Sequence, residues 1–242
     1  MHIQDDRYCM RKIAVIETDF PTKFGIPRQS GLEEGLRSRI VFEKEFRDPE
    51  ALRGLSGFSH IWLIWLFSET ARKNWSSTVR PPRLGGNTRM GVFATRSPFR
   101  PNPVGLSCVR LEAVESDPAA GPVLIVSGAD LMDGTPILDI KPYLPFADCR
   151  PEASGGFAEP LREKELQVDI PPELLERLPE EKREPLRRIL AQDPRPSYQR
   201  DPARIYGFPF AGFEIRFTVS GERLSVCEVC EISRTENDPS RE

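Results

Sequence analysis

Over its first 147 residues the chain breaks into six or seven short runs suited to β-strands, with almost no stretch suited to a long helix. RKIAVIETDF is rich in branched residues and stops at Pro21. RSRIVFEKEF alternates at period two, with Ile40, Phe42 and Phe46 set among Arg39, Val41, Glu43 and Glu45, as in a half-buried strand. GFSHIWLIWLFSE is apolar on both faces, and its bounding glycine and aromatic content favour a strand buried on each side over a core helix segment. GLSCVRLEAVE and PVLIVSGAD are separated by the turn-forming SDPAAG, and LMDGTPILDIKPYLP adds an Asp-Gly turn and another short strand. DPEALRGL allows one or two helical turns, with Asp48 as N-cap ahead of Pro49. This series predicts a β-barrel or sandwich and argues against a doubly wound α/β sheet.

After Ala147 the composition changes. PEASGGFAEPLREKE reads as a linker, so the expected organisation is a first domain over 1–147, a linker over 148–165 and a smaller α+β domain over 166–242. In the second domain Leu174, Leu175 and Leu178, then Leu186, Ile189 and Leu190, cluster at helical spacing, and Pro179 and Pro185 are expected to split the segment into shorter helices. The end, FAGFEIRFTVSGERLSVCEVCEI, reads as a hairpin with Phe213, Ile215, Phe217 and Val219 on one face. Between them, AQDPRPSYQRDPARIYGF sets Arg195, Arg200 and Arg204 beside Tyr198 and Tyr206. That mixture suits base stacking with phosphate binding, and it equally suits a surface loop whose aromatics pack on the domain.

Charge is distributed unevenly. The total of −3 argues against a general nucleic-acid binder, yet Thr70 to Leu111 holds eight Lys or Arg and no Asp or Glu, making that segment +8 and the remainder −11. Within it, residues 79–111 carry Arg80, Arg83, Arg89, Arg96, Arg100 and Arg110 with five prolines and four glycines. Planar guanidinium forks on a backbone held in non-helical paths suit phosphate or carboxylate. A local basic face on an acidic protein fits a defined polyanion better than bulk DNA.

Other classes are excluded or left open by the residues. No run approaches the roughly 18 to 20 apolar residues that span a bilayer, and MHIQDDRYCM lacks a signal-peptide apolar region, so a cytoplasmic protein is expected, with no membrane partner. Five scattered cysteines make no disulfide framework. Cys227 and Cys230 lie in a strand-like run where side chains three apart point to opposite faces, and His2 and His60 are the only histidines, so no metal is expected. GxGxxG after a strand, GxxxxGK[ST] and GxSxG are all absent. Asp130 and Asp133 in GADLMDGTP, with Asp139 beyond, read either as paired acids of a hydrolase or as turn chemistry around Asp-Gly. His60, inside the apolar run, reads as a core or interface residue.

GFSHIWLIWLF, VRPPRLGGNTRMGVFATRSPFRPNPVGLS and DGTPILDIKPYLPF, in that order, together with AQDPRPSY and the final hairpin, closely resemble the TrmO family over nearly the whole chain. The resemblance implies a mainly β protein with a single-sheeted β-barrel methyltransferase domain and a smaller α+β C-terminal domain, assembled as a homodimer. It also implies S-adenosylmethionine as methyl donor and methylation of N6 of threonylcarbamoyladenosine at position 37, in the anticodon loop of chiefly a threonine tRNA. By match to the family's motifs, the cofactor contacts fall on Ser30, Gly31 and Leu32, on Ser68 and Glu69, on Arg96 and Leu106, and on Gly128, Ala129, Asp130 and Leu131. The chain departs from the family's pattern at Ser68-Glu69, where many relatives carry His-Gln or His-Asn.

The chemistry of that reaction assigns further roles. The donor's carboxylate tail needs an anion-binding fork, for which Arg96 is the candidate. An acylated N6 is weakly nucleophilic and must shed a proton, which calls for a base within hydrogen-bond reach. Asp130 is the first candidate, Asp133 the second and His60 a distant third. Arg80, Arg83, Arg89 and Arg100 are the expected RNA-binding residues. The alternatives are a non-enzymatic RNA-binding module, a methyltransferase acting on a small molecule, and a hydrolase built on Asp130 and Asp133.

Overall fold

Alternation along the first half of the chain gives each strand one apolar side, and the strands join edge to edge through backbone hydrogen bonds into one sheet that turns those sides inward. The structure, a computed structural model, describes residues 8–70, 74–81, 84, 87–161, 165–195 and 201–232. Its N-terminal strands are β1 (Ala14–Glu17), β2 (Arg37–Phe42), β3 (His60–Leu66), β4 (Thr78–Val79), β5 (Met90–Gly91), β6 (Val104–Asp117), β7 (Gly121–Ser127) and β8 (Thr135–Pro142). Six of them hydrogen-bond in the order β1-β2-β7-β6-β3-β8, and β8 pairs back onto β1, so the sheet closes. β4 and β5 form a separate two-stranded ribbon within the basic stretch. Ile16, Ile40, Ile61, Leu63, Val109, Leu124 and Ile137 are fully buried inside the closed sheet. Each such side chain contributes about 1.5–3 kcal/mol relative to exposure.

Two strand expectations are corrected in detail. β2 stops at Phe42, and Phe46 lies in a 3-10 turn (Lys44–Phe46). β3 is not buried on both sides: Ile61, Leu63 and Trp65 point inward, whereas Trp62, Ile64 and Leu66 are only half-buried on the outer face. The closed sheet gives each strand one interior face, so an apolar outer face stays partly in contact with solvent.

After the single turn α1 (Pro145–Asp148), a second sheet is built from β9 (Gln167–Asp169), β10 (Tyr206–Phe210), β11 (Phe213–Ser220) and β12 (Arg223–Glu231), in the order β10-β11-β12-β9. Beside it lie α2 (Pro172–Leu175) and α3 (Glu180–Ala191). Ile215, Phe217 and Val219 are buried as the hairpin periodicity requires, while Phe213 is half-buried. Pro179 separates the two helices as N-cap of α3, but Pro185 does not break the segment; it lies inside α3 and is buried. Its missing N–H removes one backbone bond, and burial of the ring beside Leu186, Ile189 and Leu190 offsets the loss.

The segment from Asp19 to Leu36, between β1 and β2, crosses to the second sheet. Phe20 and Leu36 belong to that sheet's core, and Phe24 and Ile26 pack against it. Gly25 has φ +92°, and a Cβ there would lie 2.2 Å from the Phe208 ring, so only glycine permits the approach. Polar contacts reinforce the docking: Lys182 Nζ meets Asp19 Oδ2 at 2.5 Å, and Arg28 donates to the Asp193 carbonyl at 2.5 Å. Glu33 is buried there, with Oε1 accepting from the Gly35 N–H at 2.6 Å and burial pushing its carboxyl above the ordinary range. The loop that carries Ser30, Gly31 and Leu32 is thus held by the second sheet and its helices. Among the described residues no helix is long and apolar enough to cross a membrane.

Candidate active site

Two backbone segments that are far apart in sequence touch at the end of the closed sheet. The Gly31 N–H donates to the Gly128 carbonyl at 2.9 Å. Gly128 has φ +80°, and a Cβ added to it would come within 3.3 Å of the Gly31 nitrogen. Both the left-handed backbone and the close approach therefore require glycine. Ala129 and Leu131 turn their side chains into the core, so these two residues offer a ligand only main-chain atoms. Asp130 between them is half-buried and turns its carboxylate to Ser107.

The Asp130 carboxylate is held by a chain of side chains. Its Oδ1 accepts from Ser107 Oγ at 2.5 Å, and Ser107 Oγ accepts in turn from the Trp65 indole Nε1–H at 3.0 Å. Burial pushes the Asp130 carboxyl above the ordinary range, opposed by the Ser107 hydroxyl, its own and the Ser30 backbone N–H, and the positive charge of Arg96.

Arg96 is exposed and donates to Gln29 Oε1. Arg89 donates to Thr78 Oγ1 at 3.2 Å and Arg100 to the Thr95 carbonyl at 3.3 Å. All three acceptors are neutral oxygens, which orient a guanidinium without cancelling its charge. Arg89 and Arg96, but not Arg100, line a cavity of about 1540 Å³ between the basic stretch, the segment from Lys23 to Gln29, the residues around Phe157 and the turn at Pro194-Arg195. Lys23, Arg28, Arg80, Arg89, Arg96 and Arg195 line it, together with Phe24, Phe93, Phe99 and Phe157; among the described residues no carboxylate does. Phe93 is 76% exposed, a large apolar surface left in the midst of cations.

Other residues singled out from the sequence lie elsewhere or play other parts. Asp133 is exposed, and its Oδ1 accepts from the Thr18 N–H at 2.9 Å, fastening the turn before β8 to the end of β1. Asp139 pairs with Lys141 at 2.8 Å. His60 stands on the outer side of β3 with Nδ1 2.9 Å from Ser59 Oγ and its ring near Tyr143. Ser68 and Glu69 are exposed and do not line the cavity, although Glu69 lies 3.6 Å from Lys23, which does. Leu106 is exposed on the outer face of β6, opposite Ile64, and does not line the cavity. Cys227 is exposed and Cys230 donates to Glu228 at 3.2 Å. Arg83, Tyr198 and Arg200 fall outside the described residues.

Sequence reasoning missed Gln29, Trp65, Phe93, Phe99, Ser107 and the place of Arg195. A signal existed for Ser107. It is the polar residue on the inward side of β6, in line with Val109 and Leu111.

Comparison with known proteins bears on the same segments. The family model described as the tRNA-methyltransferase O N-terminal domain matches residues 15–149, and the TrmO C-terminal domain matches residues 163–232. A relative from Escherichia coli K12 named "tRNA (adenine(37)-N6)-methyltransferase" is 42% identical over 223 residues, covering 89% of this chain and 94% of its own length. A Pyrococcus abyssi relative named "Probable S-adenosyl-L-methionine-binding protein" is 37% identical, covering 62% of this chain and 76% of its own. A crystal structure of TrmO from Pseudomonas aeruginosa superposes with a TM-score of 0.73 at 34% identity, covering 93% of this chain and 99% of that one.

Proposed function

The chain belongs to the TrmO family, and on that premise we propose that it transfers the methyl group of S-adenosylmethionine to N6 of threonylcarbamoyladenosine at position 37 of tRNA, chiefly a threonine tRNA. The observation that carries the reading is a cavity lined by cations and, among the described residues, by no carboxylate, whose Arg96 also acts on Asp130 next to the Gly31–Gly128 contact. A non-enzymatic RNA-binding module would need the cations but not the glycine cradle or the buried carboxylate.

The residues present fit the methyl donor. A Cβ at Gly128 would crowd the backbone where the two segments meet, so the paired glycines keep a main-chain cradle open, and Arg96 is oriented by a neutral partner, ready for a carboxylate. In this reading Ser30, Gly31, Leu32 and Gly128 to Leu131 hold the donor largely through main-chain atoms, and Arg96 binds its carboxylate tail. Ser68 and Glu69 contribute through their main chain despite the changed side chains, a role supported by the approach of Glu69 to Lys23 of the cavity wall. When bound, S-adenosylmethionine supplies an electrophilic methyl group.

The chain's own residues align and deprotonate the acceptor. Fixing the acceptor base beside the cradle supplies most of the acceleration, because positioning can lower such a barrier by several kcal/mol, roughly up to 7–11. Asp130 accepts the N6 proton, and burial, which raises its proton affinity above that of an ordinary carboxylate, suits it to act as a base. Asp133, engaged with Thr18, is the lesser candidate. Arg80, Arg83, Arg89 and Arg100 contact the anticodon-loop backbone, while Phe93 and Phe99 offer faces for unpaired bases. We also infer a homodimer: Trp62, Ile64, Leu66 and exposed Leu106 share one apolar outer face of β3 and β6, which a second copy would cover.

The test is incubation with labelled S-adenosylmethionine and threonine tRNA that carries or lacks threonylcarbamoyladenosine. Label is expected only in the modified tRNA. Label in a small molecule, or an absence of donor binding, would sink the proposal.

A further inference from the structure

Ser107 is 1% exposed at an inward position of β6, where a hydroxyl is unfavourable unless its proton and a lone pair are both engaged. Both are engaged, and in one direction only. An indole N–H can donate but not accept, so Trp65 Nε1 must donate to Ser107 Oγ across their 3.0 Å separation. The Ser107 proton is then left for Asp130 Oδ1, 2.5 Å away. Trp65 itself can sit there because residue 105, its cross-strand partner, is glycine; a Cβ at Gly105 would lie 2.2 Å from the indole. Gly105 and Ser107, two positions apart on one strand, thus seat the indole and aim the hydroxyl.

We propose that Ser107, oriented by Trp65, is a positioning residue for Asp130, fixing one carboxylate oxygen and favouring its ionised form during methyl transfer. The inference rests on the reading of Asp130 as the base. Ser107 forms no bond with either reactant in the step itself; the N6 proton passes to the Asp130 carboxylate. Among the described residues, Arg96 is the charged group that acts on Asp130, and the Ser30 N–H and Asp130's own N–H also donate to it. None of these is altered by substitution at Ser107 or Trp65.

The experiment measures single-turnover methyl transfer to modified tRNA by the full chain from about pH 5 to 9, with donor affinity measured in parallel by calorimetry. A donated hydrogen bond lowers the proton affinity of a carboxylate, so Ser107→Ala should raise that of Asp130 and move the acidic limb of the profile upward by about one pH unit. The rate then falls about tenfold on that limb and recovers at alkaline pH. Ser107→Thr, which keeps the hydroxyl, should restore the wild-type limb, and Trp65→Phe should shift it in the same direction by less. Donor affinity should stay within about twofold in all three. If Ser107→Ala does not fold, Trp65→Phe carries the same test. An Asp130→Asn variant that turns over normally would remove the base assignment and this inference with it. An inactive Asp130→Asn together with unshifted profiles for Ser107→Ala and Trp65→Phe would overturn the inference alone, as would a pH-independent loss that Ser107→Thr fails to restore.

Discussion

Two arginine-bearing surfaces of the N-terminal domain treat the same side chain in opposite ways. On the outer face of β2, Arg39 spans two carboxylates, Glu17 at 3.0 Å and Asp117 at 2.8 Å. Asp117 is held below the ordinary carboxylate range first by the N–H groups of Ala120 and Ala119, then by Arg39. Charge on that surface is answered locally. On the cavity wall, Arg89 and Arg96 are steered by hydroxyl and amide oxygens, and no carboxylate among the described residues lines the walls. The first arrangement knits neighbouring strands, whereas the second leaves a positive field open to an incoming anion.

The contrast can be broken or sharpened by substitution. The largest effect should come from Arg96→Ala, which removes charge-assisted bonds worth roughly 1.5–3 kcal/mol and should weaken S-adenosylmethionine binding about 10- to 100-fold in calorimetry. An unaltered titration would remove Arg96 from the donor's carboxylate. Next should come the RNA-facing residues. Phe93→Ala is expected to weaken tRNA binding by roughly 1–3 kcal/mol if a base stacks there. Arg89→Ala should weaken it by a few-fold and lower the salt slope by about one, without changing donor affinity. Smallest of all, Arg39→Ala should lower the Tm by only about 1–3 °C and leave both ligands bound as before. If Arg39→Ala reduced tRNA binding as much as Arg89→Ala, the two surfaces would not differ in the way proposed.

Much of the fold was legible because periodicity is local. The short alternating runs marked β2, β6, β7 and β8, and the leucine spacing marked α3. Pro185 was misread because proline's effect depends on position and on what the ring packs against, and here the ring is buried against the second core. β3 was misread because apolarity on both faces does not say what covers each face. Around the candidate site, the basic stretch was legible from composition, and motif singled out the two segments that meet at Gly31 and Gly128. The difference between Asp130 and Asp133 was not. Both sit near an Asp-Gly turn, yet Asp130 meets Ser107 from another strand, while Asp133 meets the backbone of Thr18.

By itself the sequence determined which faces are apolar, where the chain turns, and that one stretch carries arginines without carboxylates. Those properties depend on side-chain period and local backbone preference. Only the tertiary structure decided that Ser107 would face both Trp65, 42 positions away in sequence, and Asp130, 23 positions away. It also decided that the 19–36 segment would be pinned by the core of the second sheet, setting Gly31 against Gly128. These partners are chosen by strand register and by the closure of the sheet. A register sums many weak pairings along whole strands, so no local stretch of sequence records it.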